Sequence, residues 1–311
     1  MGMTRTKHLR AFVVMVVAAL AASLLLTDLL GEPAQTQTST LEATLVGAGD
    51  IASCSYDRDQ ATANLLANVS GTVFTLGDNA YPDGTAAQFT NCYHPTWGVE
   101  KARTKPSVGN HEYHTPDASG YFGYFGAAAQ DPDKGYYSYK RGSWRVVVLN
   151  SNCSEVGGCG GRSPQGRWLK QVLTNFTSRC TLAYFHHPLF ASTGAASTEV
   201  RPFWKILYSH NADVILSGHA HYYERFAPQR PDGTRDRSRG IREFVVGTGG
   251  AAPLQPMTSP RAANSQIDSE KAPGTTAYGV LKLDLYAGSY AWKFRPVAGE
   301  SFTDSGNDQC H

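Results

Sequence analysis

Five short clusters hold the side chains best suited to chemistry: Gly49-Asp50, Gly77-Asp78-Asn79-Ala80-Tyr81, Gly109-Asn110-His111-Glu112, His186-His187-Pro188 and Gly218-His219-Ala220-His221. In four of them a glycine stands directly before a ligand-type residue. A glycine there lets the chain turn sharply and lets backbone come close to a site with no side chain in the way. Asp50, Asp78, Asn110, His186, His219 and His221 offer oxygens and imidazoles and no thiolate. That mixture suits iron, manganese or zinc better than calcium. Two such ions about 3.5–4 Å apart can hold a phosphate between them, generate hydroxide at neutral pH and stabilise a leaving oxygen. Each cluster alone is weak, since Gly-Asp occurs at turns everywhere. Five in order, each closing an apolar run, are not.

The intervening segments must position these clusters. Thr44–Gly49 reads as a buried strand, Gln60–Val69 as a helix with Leu65, Leu66 and Val69 on one face, and Thr72–Leu76 as another strand. Trp144–Leu149, Cys180–Phe185, Asp213–Leu216, Arg242–Val246, Tyr278–Leu285 and Tyr290–Phe294 read as further strands. Ser163-Pro164 opens a helix to about Phe176, with a capping residue before proline in the first turn. Glu199–His210 completes a β-then-α order that argues for an α/β layered fold. In open α/β sheets ligands bind beyond the carboxyl ends of strands, where the clusters fall. Neighbours in a strand point to opposite sides, so His187 is expected to face away from His186. His94, His114 and His210 read as surface or loop residues. The aromatic run Tyr121–Phe125 reads as packing, and the arginine-rich stretch Gln229–Gly240 as a solvated loop.

In this order the clusters resemble the metallophosphoesterase (calcineurin-like) superfamily, and within it the purple acid phosphatases. The general superfamily carries Asp-x-His in its first motif. This chain has Asp50-Ile51-Ala52 and instead offers Tyr81 in Gly-Asp-x-x-Tyr, as purple acid phosphatases do. The tail Tyr223-Glu224-Arg225 after His219-Ala220-His221 is similar to the same family. The resemblance implies a single-domain, four-layer α/β/β/α sandwich over 41–311 that hydrolyses phosphomonoesters with a hydroxide held by two metal ions. A phosphodiesterase or nucleotidase with the same centre is the alternative, and a non-catalytic secreted binding protein a third reading. It implies an Fe(3+) site of Asp50, Asp78, Tyr81 and His221. The second site, for Fe(2+), Zn(2+) or Mn(2+), takes Asp78, Asn110, His186 and His219, with Asp78 bridging. His111 is implied as the catalytic residue beside the phosphate, oriented by Glu112. Purple acid phosphatases carry a further histidine about nine residues after the equivalent of His186. Here Ala195-Ala196 occupy that stretch, so the source of the leaving-group proton is open. The extra N-terminal β-sandwich of plant-type members is expected to be absent.

Composition sets the outer limits. Of 311 residues 41% are apolar and 17% charged, with net charge +2, which excludes long disorder and coiled coil. No nucleic-acid-binding surface is evident, and the expected partner is a small phosphorylated substrate. Residues 1–35 read as an export signal: Arg5, Lys7 and Arg10 precede an uncharged run from Ala11 to Leu26. An uncleaved membrane anchor is the alternative. A secreted or cell-envelope location follows. Six cysteines in an exported chain suggest three disulfides, for which fifteen pairings exist. The expected set is Cys54–Cys92, Cys153–Cys159 and Cys180–Cys310.

Overall fold

Strands built of consecutive apolar residues must be covered on both faces, and two sheets with helices outside them satisfy that need. The computed structural model describes residues 40–257, 260–268 and 277–311; the expected export signal lies outside them. Thr40–His311 is one compact unit. Among the described residues fifteen strands run in chain order from β1 to β15. The first sheet contains β1 (Leu41–Ala48), β3 (Thr72–Thr75) and β5 (Thr104–Lys105), paired in parallel. On the other edge of β1 it continues antiparallel through β13 (Gly279–Tyr286), β14 (Ser289–Pro296) and β15 (Ser305–Gln309). The second sheet has a parallel centre of β7 (Trp144–Val148), β8 (Cys180–Tyr184), β9 (Val214–Ser217) and β11 (Arg242–Val246). Antiparallel strands flank it: β6 (Tyr137–Arg141) on one side, β10 (Tyr223–Phe226) and β12 (Ser265–Asp268) on the other. The remaining pair, β2 (Ala52–Ser53) and β4 (Ala80–Tyr81), forms a small ribbon of its own.

Period-two alternation fixes which face each side chain covers. In the second sheet Val146, Val148, Leu182, Tyr184, Val214 and Leu216 point to the inter-sheet core. Their neighbours Val147, Ala183 and Ile215 point to a separate apolar layer with Leu169, Leu173, Phe203, Trp204 and Leu207. Those last five belong to the helices Pro164–Asn175 and Arg201–Ser209. The first of these starts as its sequence demands: Ser163 Oγ accepts from Gly166 N at 3.0 Å, and Pro164 follows the cap. Across the sheet interface Phe74 meets Tyr184 at 5.9 Å between ring centroids, and Tyr223 meets Phe294 at 4.6 Å. The helix Asp59–Ala67 covers the first sheet through Ala63 and Leu66. The four-layer expectation is met.

All six cysteines are paired, as Cys54–Cys92, Cys153–Cys159 and Cys180–Cys310. These are the expected pairs. Among the described residues no helix is long and apolar enough to cross a membrane.

Candidate metal centre

The carboxyl ends of β1, β3, β8 and β9 converge where the two sheets meet, and the clusters extend from them. Backbone bonds stitch the loops together: Asp50 N donates to Gly77 O, Ile51 N to Asp78 O and Gly218 N to His186 O, all within 3.1 Å. Space there is short. A Cβ on Gly77 would lie 2.6 Å from His186 Nδ1, and one on Gly109 would lie 2.1 Å from Asp78 Oδ1. Only glycine fits at either position.

The side chains meet at hydrogen-bond distances. Tyr81 OH donates to Asp50 Oδ1 at 2.8 Å and to Asp78 Oδ2 at 2.9 Å, and stands 3.1 Å from His221 Nε2. His221 Nε2 is 3.2 Å from Asp50 Oδ1. On the other flank His186 Nε2 lies 3.2 Å from Asp78 Oδ2, 3.0 Å from Asn110 Oδ1 and 3.1 Å from His219 Nδ1. Asp78 therefore sits between two groups of donors. All seven residues expected as ligands come together.

The donor set fits metal ions. His186 Nδ1 donates to Leu76 O at 2.7 Å, which fixes the tautomer and leaves Nε2 free to ligate. Asp50 and Asp78 are 2% and 1% exposed, and among the described residues their ion-pair partners are histidines alone. Ligand atoms of Asp50, Asp78 and His186 lie within 4.8 Å of one another. Burial opposes both charges of the Asp78–His186 pair. Their attraction prevails, holding the Asp78 carboxyl well below its ordinary range and pushing His186 up to about 9. Burial, then the two carboxylates, drives the Tyr81 phenol well above 10. Burial and the neighbouring His186 bring His219 down to about 4.

Two expectations are corrected. Glu112 does not orient His111. Its buried carboxylate accepts from the amides of Gly109 at 2.7 Å, Asn79 at 2.7 Å, Asp78 at 3.0 Å and Ala80 at 3.3 Å, so it clamps the loop that carries Asp78. Burial, with Asp78 nearby, pushes its carboxyl up to about 7 against the pull of those amides. His111 is oriented instead by Pro82 O, 2.5 Å from its Nδ1, and its Nε2 is 3.8 Å from Asp78 Oδ2.

His187 does not face away. β8 ends at Tyr184, so strand alternation no longer governs His186 and His187. The His187 ring lies 4.9 Å from that of His186 and 4.6 Å from that of His219, and Ser151 Oγ sits 2.8 Å from its Nδ1. His186, His187 and His219 also form a trio with ligand-capable atoms within 4.8 Å. Burial and the adjacent histidines press His187 down to about 2. Sequence reasoning further missed Ser151 and the acidic turn around Glu155, which line a cavity beside the centre. Their only signal is the polar run after β7.

A model of the calcineurin-like phosphoesterase family matches residues 43–223. An uncharacterised protein of Mycobacterium tuberculosis is 30% identical over 188 residues, which is 47% of this chain and 35% of the relative. Purple acid phosphatase 15 of Arabidopsis thaliana is 23% identical over 280 residues, 78% of this chain and 50% of the relative. The chain thus spans half or less of the length of these relatives. Among solved structures, a purple acid phosphatase from yellow lupin seeds superposes with TM-score 0.62 and 17% identity, over 88% of this chain and 54% of that one. GAP50, described as the anchor in the inner membrane complex of Plasmodium, superposes with TM-score 0.65 and 12% identity, over 88% and 90% of the two chains.

Proposed function

The chain belongs to the calcineurin-like phosphoesterase family, on its purple acid phosphatase-like branch, and from that premise we propose that it is an exported phosphatase hydrolysing phosphomonoesters at a dinuclear metal centre. The observation that carries this reading is the convergence of six ligand-type residues around Asp78 with no lysine or arginine paired to either buried carboxylate among the described residues. GAP50 shares the fold while its description is that of an anchor, so fold alone decides nothing. The complete donor set favours the enzyme over a binding scaffold.

Asp50, Asp78, Tyr81 and His221 would hold one ion, and Asp78, Asn110, His186 and His219 the other. Two ions bound there supply positive charge for a phosphate, a nucleophile at neutral pH and stabilisation of the departing oxygen. The Tyr81 phenol, whose one O–H is shared between two carboxylates, becomes a phenolate only against a strong cation. That favours a ferric ion on its side and Fe(2+), Zn(2+) or Mn(2+) on the other. His111 holds its Nδ1 proton against Pro82 O, which leaves Nε2 turned to the side of Asp78, where it can contact phosphate or carry a proton. Glu112 keeps Asp78 in place through the four amides of its clamp.

Export is supported by the pairing of all six cysteines. The cavity beside the centre, about 360 Å³, has room for the alcohol part of a small ester. The test joins metal analysis to hydrolysis of paired monoesters and diesters by metal-loaded protein. Two metal equivalents with monoester turnover are expected. Protein that binds no metal and cleaves neither class would overturn the reading.

A further inference from the structure

The cavity opens directly on the centre. Asn110 and His187 form its inner wall. Its outer walls come from two separate segments, Ser151–Glu155 and the turn Ser197–Glu199. Two of its polar side chains are already committed. Ser151 Oγ lies against His187 Nδ1, and Asn152 Nδ2 donates to Asn150 Oδ1 at 3.0 Å. Others are committed too: Tyr113 OH accepts from Asn150 Nδ2 at 2.8 Å, His114 Nδ1 lies 3.1 Å from Pro82 O, and Ser154 Oγ donates to Glu155. The groups left to meet the part of a substrate beyond its phosphate are the Ser197 hydroxyl and two carboxylates, Glu155 and Glu199. Among the described residues lining the cavity there is no lysine or arginine. Such an arrangement is unusual beside a site for a dianion, since a phosphatase for highly anionic substrates needs cations along the approach.

We propose that this cavity receives the alcohol part of the substrate and selects phosphomonoesters whose alcohol is uncharged or carries an amine, while repelling those whose alcohol is anionic. The selection rests on reading the centre as a phosphomonoesterase. It arises because the phosphate is drawn to the metal-binding side chains while the rest of the molecule lies between two carboxylates. Glu155 is held in that position locally. Its backbone N donates to Asn152 O at 3.1 Å, its Oε1 accepts from Ser154 Oγ at 2.8 Å, and the disulfide Cys153–Cys159 closes the loop around it.

The test uses the full metal-loaded chain and three esters of similar size: glycerol 3-phosphate, 3-phosphoglycerate and phosphoethanolamine. The first two differ in a carboxylate on the alcohol. Two like charges within several ångströms, largely hydrated, weaken kcat/KM for 3-phosphoglycerate by about five- to tenfold relative to glycerol 3-phosphate at low salt. Phosphoethanolamine is expected to match or exceed glycerol 3-phosphate. Glu155→Gln/Glu199→Gln removes both charges at exposed positions, so the penalty on 3-phosphoglycerate should fall below about twofold; added salt should reduce it in the unaltered protein. Equal rates on the first two esters, or a penalty unchanged by both the double variant and salt, would overturn the inference and leave the phosphatase reading standing. Failure to cleave all three esters and p-nitrophenyl phosphate would overturn that reading, and the selection with it.

Discussion

Asp78 links the Tyr81 side of the centre to the His186 side, and its removal should tell most. Asp78→Asn takes charge from both proposed sites, so turnover should fall by at least about a hundredfold and bound metal should drop below two equivalents. Full metal content with ordinary turnover would disprove the bridging role. Tyr81→Phe asks a narrower question. It keeps the ring and removes the oxygen that reaches Asp50 and Asp78. Iron-loaded protein should absorb in the visible through a phenolate-to-iron transition. The variant should lose that band while melting within a few degrees of the parent. A colourless parent holding ferric iron would exclude Tyr81 as a ligand. Glu112→Gln turns an amide group toward four backbone N–H donors, so a loss of about 2–3 kcal/mol is expected in chemical denaturation.

The loops between strand and helix carry both what the sequence disclosed and what it hid. The parallel strands of the two large sheets, other than β5, were legible because each is an apolar run closed by glycine or a ligand-type residue. That punctuation also located six of the seven donors, Tyr81 being implied by the resemblance. β5 is only Thr104-Lys105 and carries no apolar run. β15 was not legible, because Ser305-Gly306-Asn307-Asp308-Gln309 has no strand pattern of its own. It forms by pairing with β14 and by the adjacent Cys310 disulfide. The roles of His187 and Glu112 were misread for different reasons. Strand alternation ends with β8 at Tyr184, before His187. The Glu112 role was implied by the resemblance, whereas its carboxylate, carried on the turn His111–His114, is taken up by four backbone amides. The polar loop Gln229–Gly240 proves organised by Asp236. It accepts from Tyr208 OH at 2.7 Å, Arg230 Nε at 3.0 Å, and Ser238 N and Arg239 N at 3.1 Å each. The hydrogen bond from Tyr208, with help from Arg230 and Ser238, holds its carboxyl well below the ordinary aspartate range. A depressed carboxyl stabilises the fold above its unfolded pKa, and that stabilisation fades as pH falls through the folded one. Asp236→Asn should therefore cost about 1 kcal/mol at pH 7, after discount for solvent screening, and progressively less below about pH 4. Denaturation midpoints of parent and variant across that range check it. An undiminished difference in strong acid would contradict the assignment.

The whole domain is closed by Cys180–Cys310, which ties β8 at the centre of one sheet to the residue after β15 at the edge of the other, across a separation of 130 residues. Replacing both cysteines by serine should cost about 2–5 kcal/mol in chemical denaturation. Exported protein denatured without reductant should show no titratable thiol; two or more would contradict the three-bridge framework.

Asp50, Asp78 and His219 adopt φ of 60°, 50° and 67°, a backbone region that side chains enter at a cost. The proposed ligands are thus also local defects of the fold. His219→Gly should leave metal-free protein as stable as its parent or about 0.5–1 kcal/mol more stable, while destroying the second site. An idle copy released from its task would lose these residues first and grow sturdier for it. A screen for thermal hardiness alone would therefore select against the proposed centre.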